Sequence, residues 1–378
     1  MHIIGKTNID FIGKRKIALF ISSVLNIAIL VGIAIFGFNF GVDFAGGTLV
    51  EIKFSPSTTA EQVREGAVKG GLQEPQVQAI GEPGNFILRM GGVTQLNEEN
   101  EKAAETALRG LGDVTSITKN LDTGLINVRY KAAVDPEAIK AAVVATGTGV
   151  TQVSKLGEFD YQVKAEGMAA KVTSALKSGL AGAEFEVRRT DYVGPQVGKQ
   201  LRNKGVMALV WAMLFILIYV AFRFDLKFGP GALVAMLHDV VMVSGYFLIT
   251  RREFNLTSIA VLLTIVGYSI NDTIVIYDRI REEMVKYKGK PLPEIINIAI
   301  NDTLSRTILT SGVTALSLVG LLIFGVGEIF DFAAAMLLGI FVGTYSSVYI
   351  ASPLVIWLDD REHLKEASSG STAAPKPA

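Results

Sequence analysis

The sequence predicts a polytopic α-helical membrane protein with one α+β domain outside the bilayer. Half of its 378 residues are apolar and only 19% are charged, against about 25% in ordinary soluble chains. Six runs of about 18 or more residues are almost free of charge, long enough to cross a bilayer as helices. Between the first and second runs, residues 39–204 read as ordinary water-soluble sequence. This pattern excludes a wholly soluble globule, a disordered chain and a collagen-like fibre. The 36 basic and 36 acidic residues cancel, which argues against a polyanionic partner such as nucleic acid. There is no cysteine, which rules out disulfide scaffolds, thiolate metal sites and Cys nucleophiles and says nothing about compartment.

Residues 1–16 form a short basic N-terminal segment, with Lys14-Arg15-Lys16 just before the first run. That run, Ile17–Phe38, is too long for a secretory h-region and lacks a small-x-small cleavage site, so it reads as an uncleaved anchor. Gly41-Val-Asp43-Phe-Ala-Gly46-Gly47-Thr48 follows. It lacks the Lys-Ser/Thr of a phosphate-binding loop and is not followed by a helix. Its glycines read as positions with φ > 0 at a tight exit from the membrane.

In the outer domain, Thr48–Phe54 alternates as a strand, and Thr58–Gly71 reads as a helix closed by a Gly pair. Gln76–Ile80 and Asn85–Met90 read as strands around a Gly-Glu-Pro-Gly turn. Leu96–Leu111 is an amphipathic helix and Val114–Thr118 a strand. The order βαββαβ is ferredoxin-like. It then recurs: strand 125–130, helix 136–145, strands 150–156 and 159–165, helix 168–180 and strand 183–192. Leu49–Phe54 overlays Leu125–Tyr130 at an offset of 76 residues. The expectation is a duplication, with units at 48–119 and 124–192. One larger α+β domain is the alternative.

Five further spans follow: Gly205–Phe222, Ala232–Ile249, Ser258–Tyr277, Thr307–Phe324 and Phe332–Leu358. Pro293–Ser305 reads as a short amphipathic helix on the inner membrane surface. Residues 359–378 are a terminal tail, low in complexity after Glu366 and expected to be disordered. Lys and Arg crowd the N-terminal segment and the loop between spans four and five and are missing from the loop Gly325–Asp331. Both termini are therefore expected in the cytoplasm. Arg251 and Arg252 fall on the opposite side, against the rule.

An ionisable residue within a span costs about 2.5–3.5 kcal/mol to insert and needs a reason. Asp272 shares a helical face with Thr264 and Tyr268. It reads as a carboxylate that takes up and releases a proton, the alternative being a structural hydrogen-bonding site near the helix end. Arg306 opens span five, ahead of Thr310, Thr314 and Ser317 on one face. Alone it reads as a positive-inside anchor; facing Asp272 it would be an ion-pair partner. Asp239, after His238 in span three, reads equally as a second relay or as a structural pairing. Ala335, Gly339, Gly343, Ser347 and Ala351 of span six form a small-residue ridge. Another helix is expected to cross it, from this chain or from a partner. No metal site and no cofactor are expected.

Several of these segments resemble the SecF family, the smaller half of the SecDF pair in bacterial protein export. They are Gly41–Thr48, Tyr192-Val-Gly-Pro-Gln-Val-Gly198, Phe222-Arg-Phe224, His238-Asp-Val240, Val266-Gly-Tyr-Ser-Ile-Asn-Asp272, Tyr277-Asp-Arg-Ile-Arg-Glu282 and Ser305-Arg-Thr-Ile-Leu-Thr-Ser-Gly312. The resemblance implies a six-span half of an RND-type unit, multi-pass in the bacterial plasma membrane with a periplasmic domain. It implies a non-enzymatic Sec translocase subunit that works with SecD beside SecYEG. Such a subunit uses the proton motive force to draw preproteins outward in contact with membrane lipid. By motif, the family's proton-passage Asp and Arg fall on Asp272 and Arg306, with Asp239 a further relay candidate. Asp43, Gly46 and Gly47 fall on the family motif at the first outer strand. Family members carry one outer ferredoxin-like unit, so the second reads as an insertion.

Half of an RND-type small-molecule or lipid transporter is the alternative function. A complete one would carry twelve spans and two outer domains, where this chain has six and one. A non-transporting scaffold or sensor is the third; buried polar stripes argue against it, since an anchor has no need of their insertion cost.

Overall fold

The computed structural model describes residues 7–360 apart from 73–74, 92–95, 97, 121–122, 181 and 225. The tail beyond 360 therefore lies outside the described residues. The chain forms two compact units, one from residues up to 39 with those from 205 onward, the other from residues 40–204.

Among the described residues, six helices are long and apolar enough to cross a membrane, five within the first unit and the second of them entering it at residue 205: Ile12–Phe36, Pro195–Arg223, Gly229–Thr250, Leu256–Lys286, Leu292–Phe324 and Glu328–Asp360. These are spans 1 to 6. About half of the apolar window of spans 3, 4 and 6 is buried, and almost none of spans 1, 2 and 5. Three helices thus make the centre. Gly339 and Gly343 of span 6 set the contact with span 4: a Cβ at Gly339 would lie 2.2 Å from Ile265 Cδ1, and one at Gly343 2.9 Å from Ser269 Cβ. The small-residue ridge is therefore filled by a helix of this same chain.

The expected surface helix 293–305 is instead the first part of span 5, which runs unbroken from Leu292 to Phe324. No Gly or Pro interrupts the junction at Ser305-Arg306-Thr307. Its apolar face (Ile296, Ala299 and Ile300) packs into the bundle core beside Ile12 and Tyr277. Asn297 and Asn301 on the next face accept the backbone N–H groups of Phe11 and Ile9, both at 2.9 Å. This joins the N-terminal segment to the end of the bundle that also carries Arg223–Asp278, Arg279–Asp302 and Lys227–Asp359. At the opposite end Arg252 pairs with Asp331 and lies over the Phe330 ring. There Arg251 donates to Gly37 O at 2.9 Å. The two arginines that defied the charge rule thus close the bundle at that end.

Among its described residues the second unit holds two four-stranded antiparallel sheets. In chain order their strands are β1 (Gly47–Lys53), β2 (Gln76–Ala79), β3 (Asn85–Met90), β4 (Val114–Asn120), β5 (Leu125–Tyr130), β6 (Val150–Lys155), β7 (Asp160–Ala165) and β8 (Glu186–Val193). Its longer helices are α1 (Ala60–Lys69), α2 (Glu98–Arg109), α3 (Pro136–Val144) and α4 (Met168–Gly179). Every strand and helix expected from the sequence is present. The sheets, however, are ordered β2-β3-β1-β8 and β4-β5-β7-β6. The contiguous division into 48–119 and 124–192 is therefore not the division of the sheets. Each sheet has the ferredoxin-like strand order, but the two copies have exchanged their last helix–strand pair. α2 and β4 serve the second sheet, α4 and β8 the first.

Local geometry drives the exchange. Asn120 and Leu125 are joined by four residues, a hairpin length, so β4 pairs with the strand that follows it. A notch selects α4 for the first sheet: a Cβ on Gly179 would lie 1.8 Å from Gly66 O, and one on Gly70 2.0 Å from Ala175 O. Only glycines let α1 and α4 approach so closely. Val172, Ala175 and Leu176 then complete a core with Val50, Ile52 and Leu88. Leu108 joins Ile126, Val128 and Tyr161 in the other.

The register predicts a disulfide. Glu51 opposes Arg189 across β1 and β8. In a chain without cysteines, the double variant E51C/R189C should oxidise to one intramolecular bond, visible as a mobility shift in non-reducing gels. A contiguous first unit would keep both thiols free.

Lys119 of β4 bridges Glu101 and Glu105 of α2 at 2.5 and 2.7 Å. The hydrogen bond from Lys119, followed by that from Arg109, holds Glu105 below the usual glutamate range. A lowered carboxylate stabilises the fold above its ordinary titration range and loses that contribution as pH falls through the lowered value. Lys119→Met should therefore lower the stability of this domain at neutral pH and flatten its acid-side decline, measured by thermal melts across pH.

Candidate functional site

Asp239 of span 3 is fully buried and sits where spans 3, 4 and 6 meet. Its Oδ2 accepts Ser269 Oγ at 2.5 Å from span 4 and Ser346 Oγ at 2.8 Å from span 6. Its Oδ1 lies 2.9 Å from His238 Nδ1. Two hydroxyl donors and a ring nitrogen thus give this carboxyl the polar partners that an apolar bundle does not otherwise offer. The seat of Gly343 on Ser269 makes this possible, since it draws both hydroxyls onto one oxygen. Ser346 has a second acceptor in reach, Gly343 O at 3.1 Å.

Asp272 is also buried, one turn along span 4. Thr344 of span 6 donates to its Oδ2 at 3.4 Å, and Thr344 shares a hydrogen bond of 3.0 Å with Ser311 of span 5. Thr273 and Ser347 bond at 2.8 Å between spans 4 and 6. Thr344, Ser346 and Ser347 thus serve Asp272, Asp239 and Thr273 in turn. A π-helical turn, Ser347–Ala351, begins at the last of them. It precedes Pro353, which has no N–H to give, and Ser352 Oγ donates to Ser347 O at 2.8 Å. π turns of this kind recur at functional sites.

Arg306 does not close an ion pair on Asp272 within 4 Å. Two contacts between spans 4 and 5 fix why. Arg279 pairs with Asp302, and Tyr268 donates to Thr314 Oγ1 at 3.2 Å. This register sets Asp272 level with Thr310 and leaves Arg306 about one turn, ~5 Å, nearer the basic end. The residue is exposed on the outer side of span 5. Thr310 and Thr314 lie on the same helix face, and Asn271 and Thr264 of span 4 are also exposed.

Asp43, Gly46 and Gly47 lie in the other unit. Gly46 and Gly47 take φ of +76° and +134°, as expected of a tight exit. A Cβ on Gly47 would meet Met90 O at 2.5 Å, and one on Gly46 Pro195 Cα at 2.8 Å. The motif is a backbone seat. Among the described residues, no three His, Asp or Glu side chains gather as metal ligands.

The sequence pointed to both aspartates but missed their donors. Ser269, Ser311, Thr344, Ser346 and Ser347 are ordinary small polar residues in apolar helices. Ser269, three residues before Asp272, and the Thr-Tyr-Ser-Ser run before Pro353 were the available signals.

The family model described as "Protein export membrane protein SecD/SecF, C-terminal" matches residues 172–361, and "SecD/SecF GG Motif" matches residues 31–58. A protein translocase subunit SecF from Koribacter versatilis is 36% identical over all of this chain and 97% of its own length. One from Magnetococcus marinus is 37% identical over 98% of each. The crystal structure of SecDF from Thermus thermophilus, titled a translocon-associated membrane protein, superposes with a TM-score of 0.64 at 30% identity. It covers 94% of this chain, which spans 39% of that longer one.

The span 4–span 6 seat yields a test. Gly339→Leu and Gly343→Leu should each destabilise this chain in detergent even when it is purified alone. Overpacking costs about 1–3 kcal/mol, read as a lowered melting temperature. Unchanged melting would remove the ridge from the bundle's interior.

Proposed function

The chain belongs to the SecF family of protein-export membrane proteins, and on that premise we propose that it is the SecF half of a SecD-linked unit coupling the proton gradient to preprotein export beside SecYEG. The observation that carries this is the pair of buried carboxylates, each held by hydroxyls from more than one helix. A proton can do work here only if it changes which conformation is favoured. Each charge moved across the membrane supplies about 2.3 kcal/mol per 100 mV.

The hydrogen bonds supply the conversion. An ionised Asp239 accepts from three donors. Once protonated it must donate at one oxygen, and one hydroxyl has to turn away. Ser346 has Gly343 O as its alternative acceptor, so protonation loosens span 6 from span 3. At Asp272 the chain Asp272–Thr344–Ser311 can reverse its direction when the carboxyl becomes a donor. That couples span 4 to spans 5 and 6. Arg306, a turn away, stands beside the carboxylate without locking it in an ion pair, and so leaves the proton free to exchange.

The exposed Arg306 and Asn271 support a protein neighbour on that side, since lipid would leave a guanidinium and a carboxamide unsatisfied. SecD is the partner that this reading assigns there. This reading puts both termini in the cytoplasm, supported by the basic end of the bundle that carries the N-terminal segment. The outer domain is then periplasmic, positioned to meet the emerging preprotein.

The test is export in cells with Asp272→Asn, Asp239→Asn or Arg306→Ala at normal subunit levels. Gradient-stimulated export should fall by roughly 5- to 150-fold, the range of ordinary coupling energies, while ATP-driven translocation continues. Asp272→Glu should be partly tolerated. Wild-type export in all three variants would reduce these residues to structural ones.

A further inference from the structure

Spans 1, 3 and 6 border a groove of about 620 Å³ that runs along span 1 from Lys14 to Leu25. That is about 16 Å at the helical rise, half of a bilayer's apolar thickness, so the groove belongs to the leaflet at the basic end of the bundle. Its walls are almost wholly apolar side chains. Ile17, Ile21, Leu25 and Phe341 line it and are between 44% and 66% exposed, so it opens sideways from the bundle. Its deeper polar groups are already engaged. The Tyr345 hydroxyl donates to Ala18 O at 3.1 Å and is hydrogen-bonded to Ser22 Oγ at 2.9 Å. His238 turns Nδ1 to Asp239 Oδ1 at 2.9 Å, and its Nε2 is buried. An ordered water needs two to four polar partners, whereas hydrocarbon needs none. Beyond the groove span 1 lies directly on span 3: a Cβ on Gly245 would lie 2.7 Å from Ile29 Cδ1, and one on Gly32 2.7 Å from Leu248 Cδ2.

The mouth of the groove is basic. Lys14 lines it and is exposed, and its ammonium group has no partner among the described residues. Tyr349 lines it one helical turn nearer the basic end than Tyr345, and its hydroxyl likewise has no hydrogen-bond partner among the described residues. Segment 10–16 carries Lys14, Arg15 and Lys16 against Asp10, a net charge of +2. Volume and length give the groove a mean cross-section of about 40 Å². That is less than half the section of an α-helix about 10–12 Å across, so a partner's span does not fit it.

We propose that this groove is a binding site for an anionic phospholipid of that leaflet, with an acyl chain along Ile17, Ile21 and Leu25 and its phosphate between the Lys14 ammonium and the Tyr349 hydroxyl. The assignment stands apart from the proton-coupled reading. The lysine supplies a charge-assisted donor to the phosphate. The chain meets apolar walls that gain dispersion contacts only from an apolar occupant. Bound there, the lipid is a wedge between span 1 and spans 3 and 6, in the half of the membrane where glycines do not bring spans 1 and 3 together.

The experiment is native mass spectrometry of the full chain in mild detergent, with dioleoyl phosphatidylglycerol or dioleoyl phosphatidylcholine added. The two lipids share their chains and differ in headgroup charge. One phosphatidylglycerol should be held at least about fivefold more tightly than phosphatidylcholine, the worth of one basic charge at an anionic surface. Lys14→Glu should abolish that preference. Lys16→Glu makes the same change of charge on an exposed residue outside the groove and should preserve it. Ile21→Trp fills the groove from a half-exposed position and so should fold, checked by its melting temperature without lipid. It should lose both lipids. Added phosphatidylglycerol should raise the melting temperature of the unsubstituted chain and leave that of Ile21→Trp unchanged. Equal affinity for the two lipids, equal losses in the Lys14 and Lys16 variants, or full retention with the groove filled would overturn the proposal. So would a photo-crosslinker in place of Leu25 that captures protein, and not lipid, in intact membranes.

Discussion

A carboxylate with no exposed surface, set among apolar helices, has to be supplied with donors from its neighbours. The core of the membrane unit is organised by that requirement at Asp239. Two serines reach one of its oxygens only because spans 4 and 6 approach to glycine distance at Gly343. Small residues in membrane helices are usually credited with dispersion alone. Here the close approach also fixes where the hydroxyls stand. The same seat aligns Thr344 with Asp272 and Thr273 with Ser347, so a single crossing serves both polar centres.

The arrangement is poised rather than tight. Ser346 has two acceptors in range, Thr344 lies between a carboxylate and a hydroxyl, and Arg306 stands a turn off its acid. Buried networks in which every hydroxyl has one partner rigidify a core. Networks in which a hydroxyl can choose are bistable. The π turn at Ser347–Ala351 adds a local break in the regular hydrogen-bond pattern of span 6, just beyond the hydroxyl run.

Much of this was legible in the sequence because the signals were strong. Charge-free runs of helical length marked all six spans, and alternation and turn residues marked all eight outer strands. The exit glycines took positive φ as their spacing implied. The exchange of α2–β4 with α4–β8 was not legible. Both copies present similar apolar faces, and pattern alone cannot say which sheet a helix will cover. The choice lay in the four-residue link after Asn120 and in the glycine notch of Gly66, Gly70 and Gly179, which act through geometry. Helix 293–305 was misplaced for a similar reason. An apolar face fits a lipid surface and a protein core equally well, and only the neighbouring Ile12 and Tyr277 distinguish them. At the candidate centre, an acid in a span is conspicuous by its cost, whereas a serine there is cheap and passes unnoticed.

The exchange in the outer domain imposes an order of assembly. The second sheet, with α2 and α3, is built from one stretch, Glu98–Ala165, and can close without any later segment. The first sheet cannot. β1 and β3 must wait for α4 and β8, with residues 91–167 intervening. Contacts of such long sequence separation form slowly, since loop closure is opposed by chain entropy before any contact offsets it. The insert therefore folds early and shortens the loop that the outer sheet must close. A domain that looks like two side-by-side copies is, in time, one copy nested within the other. The strand that completes the outer copy leads directly into span 2, so the first sheet is sealed only when the chain turns back toward the membrane.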